Sequence, residues 1–319
     1  MEINIIKIMM IDCNPKVSIL VPIYGTEQYI EKCARTLFEQ TYDHIEYIFV
    51  NDCSKDSSVE VLRRVLDDYP SRKRQTRIID HAHNMGLAGA RLTGLQNATG
   101  EYVWCVDSDD YVEKNAVEVM LPYMLDDYDF ISFNYILDDG KTLTRFESKK
   151  LSVANLLINR IPPSIWKCVV KRKLFIDNGI WPEVGINVSE DYLLTARLIL
   201  VAQKKILLKN EYLYYYNVSN LNSYMNNMKV SSYENSADSA IIVYAFYRKH
   251  GEMTNYRNCL ACILSMCYLQ LMRVDSKNVR CDSLAHIIGK LNRLFLIIAN
   301  SNLEYAHKQS ILRLLARLS

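Results

Sequence analysis

The sequence has no run of about 18 uninterrupted apolar residues, so it predicts no transmembrane helix. The closest stretch, "CLACILSMCYLQLM" at 259–272, is too short and reads as a buried core helix. Charge of one sign is equally scarce. Lys and Arg number 38 against 36 Asp and Glu, a net charge of +2 that argues against a bulk electrostatic nucleic-acid binder. The N-terminal "MEINIIKIMMIDCNPK" lacks a basic region leading into an apolar core, since Glu2, Lys7 and Asp12 interrupt it, and no secretory signal is expected there. Repeats and low-complexity tracts are absent. The nine cysteines are odd in number and irregularly spaced, which speaks against a disulfide framework and for reduced thiols in a cytoplasmic setting. Cys259 and Cys262 form a lone CxxC near Cys267, and without a second ligand pair they read as packing rather than zinc. No Ser/His/Asp or Cys/His nucleophile motif is evident.

What the first third of the chain does contain is a regular alternation of two periods. "VSILVPIY" (17–24) and "IEYIFVND" (45–52) are apolar, β-branched runs of the kind buried on both faces of a sheet, and "TRIIDHAHN" (76–84) and "EYVWCVD" (101–107) follow them. Helical spacing occupies the intervals at 27–40, 57–69 and 87–98. This rhythm predicts βαβ units in a Rossmann-type, mostly parallel sheet flanked by helices. Right-handed crossovers then gather the polar strand ends "PIYG", "VNDCS", "HAHNMG" and "CVDSDD" at one crevice, where open α/β sheets bind ligands. A helix near 114–126, a strand at 128–136 and a turn at Asp138-Asp139-Gly140 come next. Residues 162–202 read as a Pro-rich entry, a short basic helix, a loop and a helix opening at "SEDY" with Ser189 as N-cap. Beyond 226, helices are expected at about 232–249, 255–273, 283–299 and 304–318. The expected organisation is an α/β domain over 1–225 and an all-helical C-terminal subdomain over 226–319.

The crevice collects residues with chemistry to offer. Asp107 and Asp109, two apart on a turn that ends a buried strand, can aim their oxygens at one hard cation, while Asp110 could cap the following turn. Mg²⁺ or Mn²⁺ would take one or two such carboxylates and keep positions for a diphosphate. The plainer alternative is a solvated turn, because Asp and Ser favour turns in general. Asp52 could accept from a base-edge N–H, with Ser54, Asp56 and Ser57 as helix caps. In "HNMGLAGARLTG" (83–94), Gly86 and Gly89 suggest a close backbone approach, and Arg91 could hold phosphate or orient the carboxylates; simple helix packing is the alternative. His81 and His83 read as strand-end polar residues. Lys167, Lys171, Arg172 and Lys173 read as a solvated helix face, although a phosphorylated acceptor would suit them. The tail "HKQSILRLLARLS" places Ile311, Leu314, Leu315 and Leu318 on one side, for packing on neighbouring helices or another subunit, or for an anionic membrane surface.

Taken in order, "VSILVPIYGTEQYIEKCARTLFEQ", "IEYIFVNDCSKDSS", "NMGLAGARLTGL" and "GEYVWCVDSDD" resemble the family 2 glycosyltransferases of the GT-A fold. The likeness is close over 17–112 and looser through "SIWKCVVKRKLF", "SEDYLLTARLILVA" and "YLYYYNVSNLNS" to about 224; the helical tail lies outside it. The resemblance implies metal-dependent, inverting hexosyl transfer from a nucleotide diphosphate sugar, most often a UDP-sugar, to a glycan or lipid-linked saccharide. It implies that Pro22 and Tyr24 wall the nucleobase pocket, that Asp52 binds the base and that Arg91 sits beside the diphosphate. Asp107 would meet ribose or metal, and Asp109 would be the main ligand of Mn²⁺ or Mg²⁺. Glu190 and Asp191 match the acidic pair near the acceptor, with Asp191 as base. The sequence departs from the pattern at Asn51, where an acid is usual, and in "NVSNLNSY", which lacks a His; Asn222 or Ser223 could touch the diphosphate there. A catalytically silent sugar-nucleotide-binding protein and a metal-dependent pyrophosphohydrolase are the alternatives. The latter would need more acids to activate water. Peripheral membrane contact at the inner face of the membrane and a homodimer are compatible with the basic, amphipathic tail.

Overall fold

The computed structural model describes residues 14–148, 150–220 and 228–317. Within them, one sheet is built from β1 (Val17–Ile23), β2 (Ile45–Asn51), β3 (Thr76–Asp80), β4 (Tyr102–Cys105), β5 (Tyr111–Val112), β6 (Phe130–Asp138), β7 (Leu143–Phe146), β8 (Cys168–Lys171) and β9 (Lys205–Asn217). The strand order is β3-β2-β1-β4-β8-β6-β9-β5, with β7 paired to β6. The first four strands run parallel, in registers that set Val17 against both Ile45 and Tyr102 and Tyr47 against Thr76. Their C-terminal ends therefore share one side, as the alternation predicted. Every residue of β1 is buried, the outcome of an apolar run covered on both faces. The helix Ile30–Phe38 buries Ile30, Cys33, Ala34, Leu37 and Phe38, the stripe its spacing predicted.

Beyond β4 the sheet changes direction. The basic stretch expected on a helix is instead split by β8, which runs antiparallel to β4 (Val103 opposite Val170) and to β6 (Ile131 opposite Val169). Four residues, Cys-Val-Val-Lys, are too few to display a period. Arg172 and Lys173 do open a helix, Arg172–Asp177, with Lys173 57% exposed, but the two lysines before it are not a solvated face. Lys171 is buried, paired with Asp127 and lying 3.4 Å from Asp129, while Arg172 donates to the Gly100 carbonyl at 2.8 Å. Lys167 is buried too, donates to Ser148 Oγ at 2.8 Å, and has its ammonium pushed down to about 8 by desolvation.

At the opposite end of the strands Glu46 ties three chain segments together. Its carboxylate accepts from Ser18 Oγ at 2.5 Å, the Thr99 amide at 2.6 Å and Lys16 Nζ at 2.9 Å. Ser18 Oγ in turn accepts from the Gly100 amide at 2.8 Å. A Cβ at position 100 would stand 2.6 Å from Ser18 Oγ, so only glycine permits this approach. Burial alone would raise the Glu46 carboxyl, but these donors overcome it and bring it down to about 2.

The chain forms two compact units. One takes the described residues up to Ser148 with Ile165–Gly185 and Val201–Asn220; the other takes the remainder. The second unit is helical. Its centre is the helix Met253–Val274, buried from Cys259 to Leu269, with Cys259, Cys262 and Cys267 among the packed side chains and burial raising the thiols of Cys262 and Cys267 to about 12. The helix expected over 283–299 is two, Val279–Leu291 and Arg293–Ala299. Asn292 closes the first and caps the second through its side-chain oxygen, 3.1 Å from the Leu294 amide. The last helix, Tyr305–Leu315, buries Leu312 and leaves Leu314 exposed; Leu318 lies outside the described residues. Ser189 differs from the expected N-cap. Its φ is 63°, away from the extended conformation a cap adopts, and its hydroxyl is hydrogen-bonded to that of Ser236 at 2.8 Å. Among the described residues no helix is long and apolar enough to cross a membrane.

Candidate active site

Two acidic clusters stand at the strand ends of the first unit, and one helix connects them. After β2, Asp52 is buried, with a carboxylate that accepts from the Met85 amide at 2.7 Å, the Gly86 amide at 2.8 Å and His81 Nδ1 at 2.7 Å. Gly86 opens the helix Gly86–Asn97 at φ 76°, a conformation that glycine adopts without strain. The other nitrogen of His81 meets Thr93 Oγ1, on the same helix, at 2.8 Å. Asp52 is thus the anion at that helix's N-terminus, where amides and macrodipole both favour negative charge. Both its oxygens accept bonds inside the protein, Oδ2 from the Gly86 amide alone. Its neighbour Asn51 is half-buried, accepting from the Ser54 amide at 2.9 Å and donating to Asp80 at 2.8 Å. Pro22 is buried in β1 opposite Val50, and Tyr24 follows it with 54% of its surface exposed. Of the three expected caps, Asp56 accepts from the Ser58 amide at 3.2 Å, whereas Ser57 makes no side-chain cap and Ser54 Oγ accepts from the Gly25 amide at 3.1 Å.

The anchored helix delivers Arg91 to the second cluster, where its buried guanidinium donates to Asp107 Oδ1 at 2.7 Å. Asp109 Oδ2 accepts from Asn220 Nδ2 at 2.7 Å. Asp110, expected to cap the turn, does something else. It is buried and bound to β9, accepting from Tyr214 Oη at 2.6 Å and the Asn217 amide at 2.7 Å. The same phenol oxygen accepts from the Asp107 amide at 3.1 Å, so Tyr214 fixes the turn from both ends. Sequence reasoning missed Tyr214, Asn217 and Asn220. In "YLYYYNVSN" nothing distinguishes the one tyrosine that turns inward from its neighbours.

Burial raises the Asp109 carboxyl, and the charge of Asp107 raises it further; Asp110 is pushed well up by burial and then by Asp109 and Asp107. Crowded like charges with hard oxygen donors suit Mg²⁺ or Mn²⁺, and Asp107 and Asp109 are the members that face outward in part. No group of three or more His, Cys, Asp or Glu side chains stands ready to hold a metal among the described residues. An ion here would therefore draw its other ligands from water and substrate, as Mg²⁺ commonly does. Asn222 and Ser223 lie outside the described residues. In the second unit, Glu190 and Asp191 open the helix Glu190–Val201, Glu190 buried and Asp191 half-buried.

The profile of glycosyl transferase family 2 matches residues 18–175. GlyA of Streptococcus pneumoniae, a glycosyltransferase, is 30% identical over 223 residues, which are 64% of this chain and 31% of GlyA. EpsH of Bacillus subtilis is 38% identical over 133 residues, 41% of this chain and 37% of EpsH. The chain thus spans well under half the length of either relative. Among solved structures, S. aureus TarS 1–349 in complex with UDP-GlcNAc aligns with a TM-score of 0.63 at 20% identity, covering 95% of this chain and 90% of that one. The mannosyltransferase PcManGT from Pyrobaculum calidifontis, in complex with GDP-Man and Mn²⁺, aligns at 0.56 with 15% identity, covering 96% and 86%. Both likenesses speak for the fold, which is GT-A. With the family's profile laid over β1 to β8, on the family's fold, residues 18–175 of this chain form a glycosyl transferase family 2 domain.

Proposed function

We propose that the protein is an inverting glycosyltransferase that moves a sugar from a nucleotide diphosphate sugar, a UDP-sugar in the first instance, to a hydroxyl of a glycan or lipid-linked saccharide. The observation that carries this reading is the Arg91–Asp107 pair beside Asp109, a helix-borne cation set against partly outward carboxylates at the C-terminal end of β4. Tyr24 and Pro22 would wall the base, with Asn51 as the half-buried polar group beside them. Asp52 would hydrogen-bond the base while also anchoring the helix that carries Arg91. Asp107 and Asp109 would hold Mn²⁺ or Mg²⁺, which when bound supplies the charge that stabilises the departing diphosphate.

Asp191 is assigned as the base and Glu190 as its companion. The base takes the proton from the acceptor hydroxyl as that oxygen attacks the anomeric carbon on the face opposite the diphosphate. One bond forms as the other breaks, so the configuration inverts and no covalent enzyme intermediate arises. The test is calorimetric titration of UDP, GDP and dTDP with Mn²⁺ and again with EDTA. Base-selective, metal-dependent binding is expected. Asp191→Asn should keep that binding and lose transfer. If none of the three nucleotides binds, the reading fails.

A further inference from the structure

Beside the Asp107–Asp110 turn, the first unit has an open pocket of about 170 Å³. Asp109 forms one wall, and Tyr29, Lys32, Tyr111, Asp138 and Asn217 form others. Pockets that hold a whole drug-sized ligand run to roughly 300–1,000 Å³, so this one has room for a single ring rather than a nucleotide sugar.

The walls narrow the choice of ring. Tyr111 stacks on Tyr215 with centroids 4.4 Å apart and planes 10° from parallel. Lys32 Nζ lies 3.3 Å from the Tyr111 centroid, and since Tyr215 covers one face, the ammonium covers the other. A flat aromatic guest therefore finds no free face on Tyr111 to stack upon. The Asp138 carboxylate accepts from Tyr111 Oη at 2.7 Å and the Gly140 amide at 2.9 Å, with Lys32 Nζ at 3.5 Å. An anion would meet Asp109 and Asp138 and be repelled. An apolar group would strip water from charged side chains without repaying them. A ring bearing hydroxyls on successive carbons can do better, because each hydroxyl both donates and accepts, and the cavity offers an ammonium donor, a carboxylate acceptor and the Asn217 amide together.

We propose that this cavity is a sugar-ring subsite, in which Lys32 and Asp138 hydrogen-bond ring hydroxyls and select which sugar is accepted. The proposal rests on the nucleotide-sugar reading given above. Because Asp109 is shared by the cavity and the proposed metal site, a ring held here sits next to the diphosphate, as either the donor's sugar or the acceptor's.

Two variants test it. Lys32→Ala removes a side chain that is 58% exposed, and Asp138→Asn keeps the shape of the other while removing its charge. With Mn²⁺ present, UDP is titrated into each protein, followed by UDP-glucose, UDP-galactose and UDP-GlcNAc. Both variants should bind UDP within about twofold of the unmodified protein, while the affinity ratio of the preferred UDP-sugar to UDP falls about tenfold. In a second arm, methyl glycosides of the same sugars are titrated into UDP-saturated protein. An about tenfold weakening there, with the donor ratio unmoved, supports the subsite and assigns it to the acceptor. The subsite is overturned if UDP binds but neither ratio moves more than about twofold in either variant. If UDP fails to bind the unmodified protein, the functional reading falls first and the subsite with it.

Discussion

Asp52 and Asp109 follow β2 and β4, the two strands that flank β1 in the same sheet, each in a run of polar residues after an apolar strand, yet they are opposites. Asp52 is surrounded by donors, two helix amides and an imidazole, all within 2.8 Å. Asp109 has the Asn220 amide on one oxygen and other carboxylates as neighbours, and its acidity is weakened by burial and by Asp107. The difference shows that a strand-end acid becomes a candidate ligand only when the donors around it have been counted. An acid fully supplied with internal donors supports the fold; one crowded by its own kind has free energy to gain from a cation.

The largest expected effect is at Asp109. Asp109→Ala should cost at least about 1,000-fold in Mn²⁺-dependent UDP affinity while leaving the thermal midpoint unchanged or higher, since like-charge repulsion is relieved. A folded variant that still binds UDP tightly in a metal-dependent way would collapse the contrast. Asp52→Ala should do the reverse, lowering unfolding stability by about 3 kcal/mol in urea titrations because buried donors lose their acceptor. Glu46 sharpens the point at the far end of the sheet. Its folded value of about 2 lies below the ordinary 4.5, so its contribution is complete above pH 4.5 and is lost as pH falls toward 2. Roughly 2 kcal/mol of acid sensitivity should therefore disappear in Glu46→Gln when unfolding is followed across that window. The smallest effect belongs to Lys167, a buried cation with one hydroxyl partner. Because its folded value of about 8 lies below 10.5, its charge opposes folding at pH 7, and that penalty fades as pH rises through 8. Lys167→Met should gain about 1 kcal/mol at pH 7, a gain that shrinks toward pH 10.

The parallel half of the fold was legible because β1 and β2 are long apolar runs and the helices between them carry clear stripes. Asp109 was legible for the same reason, as an acid whose place follows from the strand before it. β8 was not, since four residues carry no period and the helix Arg172–Asp177 follows it without a break. The part played by Asp110 was hidden for a different cause: its partners Tyr214 and Asn217 stand more than a hundred residues away, and only the pairing of β5 with β9 brings them near. Asp52 was legible as important, but its place at the N-terminus of the helix Gly86–Asn97 was not, because those amides lie more than thirty residues further along the chain.

The order of strands has a kinetic consequence. Pairings among β1, β2 and β3 join residues about thirty positions apart, such as Val17 with Ile45 and Tyr47 with Thr76. The pairing of β6 with β9 joins Phe130 to Lys205, and that of β5 with β9 joins Tyr111 to Tyr215. Loop closure costs more over the longer separations, so the near pairings have the advantage early and β9 is expected to dock late. Until it does, Asp110 has neither Tyr214 nor Asn217, and the acidic turn is the last part of the sheet to be completed.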